Sequence, residues 1–189
     1  MTGDLTTGSI TDAVRRMHAT IGGIRDELNA ADRVIGDGDT GMTVASVVAA
    51  WNGAIASDYP DVAALLQQLG RVTRQATGSS LGSVLATGLI AAGKVGGTSP
   101  ASMLDAAAAA VTERSGAVAG DKTILDSLLA VRDALAQQRV AIDAAQQALD
   151  DFRTREAKVG RARIYGAKSV GHDDPGMLAA LLLLRAAQS

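Results

Sequence analysis

Asp32, Asp37 and Asp39 fall in the stretch Ala31-Asp32-Arg33-Val34-Ile35-Gly36-Asp37-Gly38-Asp39-Thr40-Gly41, which carries three carboxylates and three glycines in eleven residues. Carboxylates held this close repel, and each raises the pKa of the others unless a cation sits among them. All the donors are hard oxygens, with no Cys or His among them. That set suits Mg²⁺, which keeps several waters and completes its shell from substrate phosphates. The glycines let the backbone turn sharply and come close to a ligand. The alternative is a solvated, acid-rich turn. A calcium-binding EF-hand loop is excluded. Counted from Asp37, its positions 5, 6 and 12 would be Gly41, Met42 and Val48, where a ligand, a Gly and a Glu are required.

The elements that position these residues read as helices. Val62, Leu65, Leu66, Leu69 and Val72 recur at the spacing of one buried helical face. Comparable stripes place eight helices at about 9–29, 41–56, 60–76, 80–95, 99–114, 122–138, 140–158 and 175–188. No series of alternating strands with hairpin turns is present. Pro60 and Ser99-Pro100 read as helix starts, with Ser99 as N-cap. Short connections argue for an up-and-down antiparallel bundle, in which every odd-to-even connection lies at the same end. Those connections are the Asp-rich loop, Thr77-Gly78-Ser79-Ser80, Ser115 through Asp121, and Gly160 through Asp174. All four are polar and Gly-containing, so they are expected to meet at one mouth.

Composition narrows the classes. The chain has 189 residues, 47% of them hydrophobic but only 2% aromatic, and a formal net charge of −2. Ala and Leu, both strong helix formers, must build the core. One domain over residues 1–189 is expected. A nearly neutral chain lacks the basic face of a nucleic-acid binder, and it has few aromatics on which bases could stack. There are no cysteines, so disulfides, thiolate zinc and cysteine nucleophiles are excluded. No signal peptide and no membrane-length apolar run is evident, and a cytoplasmic protein is expected.

A mouth of this kind suits a polyphosphate, because helix N-termini offer N–H groups and positive dipole ends to anions. Thr40, Gly41, Met42 and Thr43 begin the second helix, and Ser79 and Ser80 the fourth. Ordinary N-capping is the competing explanation at each. Arg161, Arg163 and Lys168 in the last loop could neutralise phosphate, or form a solvated basic loop. Gly78-Ser79-Ser80-Leu81-Gly82 fits the G-x-S-x-G nucleophile elbow, but a helical segment precedes it where that motif needs a strand. Gly88 through Val95 resembles a P-loop, but Val95 stands in place of the metal-binding hydroxyl. His172 reads as a polar turn residue.

Four segments together resemble the nucleotide-binding L subunit, or C-terminal domain, of dihydroxyacetone kinases. They are Asp32-x4-Asp37-Gly38-Asp39-Thr40-Gly41, Gly78-Ser79-Ser80, Gly120-Asp121-Lys122-Thr123-Ile124-Leu125-Asp126, and Gly160-Arg161-Ala162 through Gly171-His172-Asp173-Asp174-Pro175-Gly176. The resemblance implies an all-α fold, an eight-helix antiparallel up-and-down barrel with ADP or ATP at one end. It implies that Asp32, Asp37 and Asp39 hold Mg²⁺ and act in catalysis through it. By the same resemblance Thr40, Gly41, Met42, Thr43, Ser79 and Ser80 cradle phosphate. Ser115, Ile124, Arg161, Asp174, Pro175 and Gly176 meet the rest of the nucleotide. Thr40 stands where the family often carries His or Cys, Ser115 where Gly is common, and Ile124 where Met is common. The implied partner is a K-type subunit that holds dihydroxyacetone or a related short ketose. A member of the phosphotransferase-system type needs in addition a phosphohistidine donor protein to recharge ADP. No nucleic acid or membrane is implied, and a homodimer is left open. The competing readings are a non-catalytic nucleotide- or lipid-responsive module on the same barrel, and a plain helical scaffold.

Overall fold

Helix α1 spans Thr7–Ile35 and opens with a reciprocal cap, in which Ser9 N donates to Thr6 Oγ1 and Thr6 N donates to Ser9 Oγ, both at 3.0 Å. The sequence places this helix at 9–29. It runs six residues further because nothing after Gly23 breaks it until Gly36. Asn29 and Asp32 therefore ride on the last turns of a helix rather than in a loop. The computed structural model describes residues 4–189. The remaining helices are α2 (Thr40–Ala54), α3 (Val62–Ala76), α4 (Ser80–Ala92), α5 (Pro100–Ser115), α6 (Ile124–Ala136), α7 (Ala141–Arg153) and α8 (Pro175–Gln188), with a 3₁₀ segment at Ala162–Ser169. Among the described residues there is no strand, so the strand that a nucleophile elbow needs is missing before Ser80.

Each helix packs on its neighbours in the chain, and α8 returns to α1, which closes the ring; α6 also touches α8 behind α7. This is the expected all-α, up-and-down arrangement. The stripe on α3 buries Val62, Leu65, Leu66 and Leu69, with Thr73 completing the face in place of Val72. Thr73 is fully buried, and its hydroxyl accepts from Trp51 Nε1 and donates to Leu69 O, both at 2.7 Å. The main core joins Leu65 and Leu69 to Leu28, Val44, Val48, Leu149, Met177 and Leu181, while Val62 and Leu66 pack with Ala92 and Met103 in a smaller cluster. Fully burying an aliphatic side chain of this size contributes about 1.5–3 kcal/mol.

Several helix ends differ from the sequence reading. Pro60 lies outside α3, whose N-cap is Asp61, with Ala64 N donating to its Oδ1 at 2.7 Å. Helix α6 starts at Ile124 rather than 122, because Thr123 and Asp126 form a capping box. Helix α7 stops at Arg153 rather than 158, and the following connection contains the 3₁₀ segment, kinked at Gly166. No helix among the described residues is long and apolar enough to cross a membrane.

Candidate functional site

The junction of α1 and α2 holds the acidic triad. Asp32 is buried, and its Oδ2 accepts from Asp39 N at 3.0 Å and Thr40 N at 3.1 Å. Asn29 Oδ1 accepts from Gly41 N at 2.8 Å. Side chains of α1 thus satisfy the first N–H groups of α2, which a helix start leaves without partners. Asp39 is the N-cap of α2 yet makes no side-chain cap bond, so its carboxylate remains available to the cleft. One oxygen each from Asp32, Asp37 and Asp39 lies within 4.8 Å of the others. Gly36 is required by space, since a Cβ there would collide with the Asp32 carboxylate. Gly38 has φ 80°, a conformation that other residues rarely adopt. One buried carboxylate anchored by two N–H groups and two exposed ones beside it form a hard-oxygen donor set that fits Mg²⁺.

The other walls are helix starts and their caps. Ser79 caps α4, with Gly82 N donating to its Oγ at 3.0 Å, so capping accounts for Ser79 at least in part. Ser80 follows it at the first position of α4 and is exposed. Ser115 Oγ donates to Val111 O at 2.7 Å and accepts from Ala117 N at 3.2 Å. Asp174 caps α8, with Met177 N donating to its Oδ1 at 2.9 Å. Burial pushes the Asp174 carboxyl up to about 6, against the N–H groups of Met177 and Gly176 and the nearby Lys122 ammonium, which all favour the charged form.

The last wall is the connection after α7. Arg161 reaches across and its guanidinium pairs with the Asp37 carboxylate. Tyr165 donates its hydroxyl to Gly36 O at 3.2 Å, tying the 3₁₀ segment to the triad loop. Arg153 grips Asp173 through two bonds, at 2.7 and 3.1 Å.

These elements enclose one cleft of about 670 Å³. Of the residues singled out from sequence, Asp32, Asp37, Asp39, Thr40, Thr43, Ser79, Ser80, Ser115, Ile124, Arg161, Asp174, Pro175 and Gly176 line it. Gly41 and Met42 do not. Gly41 is buried against α1, and Met42 is 53% exposed. Arg163 and Lys168 are exposed and also lie outside the lining. The four odd-to-even connections converge, as the up-and-down reading requires.

A family model described as the DAK2 domain matches residues 34–189. The chain belongs to the DAK2 domain family. It is 31% identical over 191 residues to the human triokinase/FMN cyclase, covering 92% of this chain and 33% of that protein. It is 27% identical to the ADP-binding subunit DhaL of a PEP-dependent dihydroxyacetone kinase of Listeria innocua, with 84% of each chain covered. The crystal structure of the dihydroxyacetone kinase from C. freundii in complex with AMP-PNP and Mg²⁺ superposes with a TM-score of 0.76 at 26% identity, covering 97% of this chain and 34% of that one. The chain thus spans about a third of the length of the triokinase and of the C. freundii kinase, and 84% of the DhaL subunit.

Four residues around the cleft of this DAK2 domain escape a reading of the sequence for chemistry. Arg114 lines it, with Nε donating to Ser83 Oγ at 2.8 Å. Asn29 supports the start of α2. Asp126 accepts from Gly120 N at 2.6 Å and Thr123 N at 2.8 Å; Thr123-x-x-Asp126 is a capping-box pattern visible in the sequence. Lys122 lies within the Gly120–Asp126 segment that carries the family resemblance, but it is fully buried with φ 62°, and no local pattern announces that burial.

Proposed function

We propose that this DAK2 domain is the nucleotide-binding and phosphoryl-transferring part of a kinase for dihydroxyacetone or a related short ketose. In this reading it binds ADP or ATP with Mg²⁺ in the cleft, and a separate K-type subunit presents the sugar. The observation that carries the reading is the convergence of the Asp32, Asp37 and Asp39 carboxylates with the N-termini of α2, α4 and α8 on one cleft. The relatives support it. The Listeria protein is an ADP-binding subunit of nearly the same length, and the C. freundii kinase holds AMP-PNP and Mg²⁺.

Asp32, Asp37 and Asp39 would hold the magnesium. When bound, it supplies positive charge against the phosphate oxygens. Asp32 is oriented beforehand by two backbone N–H groups, so its carboxylate need not reorganise. Thr40, Thr43 and Ser80 offer hydroxyl donors to phosphate, and the α4 and α8 N-termini add their dipole ends. Arg161 balances charge on the triad side and is long enough to follow it onto phosphate. Ile124 and Pro175 give apolar surface, with Ser115, Asp174 and Gly176 beside them for the base and sugar. Phosphoryl transfer needs mainly positioning and charge stabilisation, and no protein nucleophile is invoked. Whether the donor is ATP or a phosphohistidine protein that recharges ADP sets the accessory partner, not this geometry.

The test is turnover in a reconstituted mixture of this domain, a K-type subunit, dihydroxyacetone and ATP or the phosphoprotein donor. Asp37→Asn and Asp39→Asn should each abolish phosphoryl transfer while leaving helicity intact. Unchanged turnover in either variant would overturn the catalytic assignment.

A further inference from the structure

Lys122 is the largest side chain with no exposed surface among the described residues, and the proposed transfer chemistry makes no use of it. It stands immediately before the N-cap of α6. An ammonium has three N–H groups to donate, and three backbone carbonyls surround this one. Arg155 O and Ser169 O lie at 2.8 Å and Arg153 O at 3.5 Å. Arg153 and Arg155 belong to the end of α7 and the turn after it, and Ser169 closes the 3₁₀ segment. Burial lowers the Lys122 pKa, and the carboxylates of Asp174 and Asp173 push it back up. An apolar side chain could fill the space but would leave the carbonyls without these donors.

A second layer of bonds reinforces the joint. Ser169 Oγ accepts from Ala157 N at 2.9 Å and donates to Gly166 O at 2.7 Å. Gly171 N donates to Arg153 O at 2.8 Å. The segment has little apolar anchorage of its own. Ile164 is 82% exposed and Val170 44% exposed; Ala157 and Ala162 pack inward against Ile35, and half-buried Val159 leans on the small cluster of Ala108, Val111, Ala117 and Leu125. Polar links therefore hold the wall that carries Arg161, and the ammonium is the hub of those links.

We propose that Lys122 is a positioning residue that fastens the α5–α6 loop to the connection after α7, so that Arg161 and Asp174 meet the nucleotide in a fixed geometry. The proposal rests on the nucleotide reading of the cleft. It predicts a defined failure. Without the ammonium the barrel stays folded, the segment 154–171 loosens, and Mg²⁺–ADP binds more weakly although no group facing the nucleotide has changed. Lys122→Met is the apt variant, since it keeps the unbranched apolar stem and the same backbone conformation.

The experiment pairs calorimetric titration of Mg²⁺–ADP with amide hydrogen exchange, on the parent, Lys122→Met and the milder Ser169→Ala. Expected for Lys122→Met are a loss of affinity of about tenfold or more, equivalent to about 1.4 kcal/mol, and faster exchange confined to 154–171. Ser169→Ala should show a smaller change of the same kind. Affinity within about twofold of the parent while exchange rises would reduce Lys122 to a structural strut and overturn the proposal. If Lys122→Met does not fold, Ser169→Ala decides: weakened binding with the global melting midpoint intact supports the joint, and unchanged binding overturns it. If the parent binds no ADP, the nucleotide reading falls separately. Unchanged exchange over 154–171 in Ser169→Ala would then overturn the joint itself.

Discussion

The Arg161 guanidinium pairs with the Asp37 carboxylate across the mouth of the cleft. The two residues come from opposite ends of the chain, and the pair places a protein cation where the acidic triad would otherwise hold three unbalanced charges. Arg161 and a divalent cation should therefore compete for Asp37. Arg161→Ala is predicted to raise the affinity for Mg²⁺ alone severalfold and to lower the affinity for Mg²⁺–ADP by about tenfold, the opposing signs reflecting loss of a competitor and loss of a phosphate partner. Calorimetry with each ligand reads both. A fall in both affinities would show that the pair merely holds the loop.

The three triad carboxylates should separate by stability. Asp32 is buried and accepts two N–H groups from the start of α2, whereas Asp37 and Asp39 are exposed. Asp32→Ala is expected to lower unfolding stability by about 1–3 kcal/mol, because buried donors lose their acceptor. Asp37→Asn and Asp39→Asn should change it by less than about 1 kcal/mol, as is usual for exposed charges. All three should abolish Mg²⁺-dependent nucleotide binding. Urea unfolding without metal, beside the titrations, checks the split.

Asp174 predicts a pH dependence. Burial holds its carboxyl near 6 in the folded protein against an ordinary value of 3.8. A raised folded pKa means that the folded state binds the proton more tightly than the unfolded chain. Its stabilising contribution is therefore full below about pH 4 and lost as pH rises through about 6. Asp174→Asn keeps an oxygen to cap Met177 N without the desolvated charge. The stability of this variant relative to the parent should improve steadily from pH 4 to pH 7, as read from melting midpoints. A difference that is flat with pH would contradict the assignment.

Thr73→Val tests the one polar contact of the single tryptophan. The substitution preserves shape but removes the acceptor for Trp51 Nε1, held at 2.7 Å in a buried site. A loss of about 1–3 kcal/mol in denaturant unfolding is expected, with nucleotide affinity unchanged because neither residue lines the cleft.

The helices were legible in the sequence because their signals are local. The α3 stripe, the Ser79 cap, Pro100 at the start of α5 and Pro175 at the start of α8 each depend on residues within one or two turns. The convergence of four loops followed from counting helices and assuming short connections. What escaped depends on partners far away in the chain. Asp32 reads as a loop residue until α1 is seen to continue to Ile35, and only then does its role in capping α2 emerge. Asn29 gives no sign that it faces Gly41. Helix α7 ends five residues early, and a 3₁₀ segment forms after it, where Lys122 meets carbonyls 31, 33 and 47 residues away. No periodicity encodes a contact of that kind. Gly41 and Met42 illustrate the converse. They share a helix start with Thr40 and Thr43, but helical geometry turns one into α1 and the other to solvent.

The most direct test of the central claim is calorimetric titration of ADP and ATP into metal-stripped protein, with and without Mg²⁺. Saturable one-to-one binding that requires Mg²⁺, and disappears in Asp37→Asn, is the predicted result. Absence of binding under every condition would contradict the account and leave a helical barrel with acidic turns.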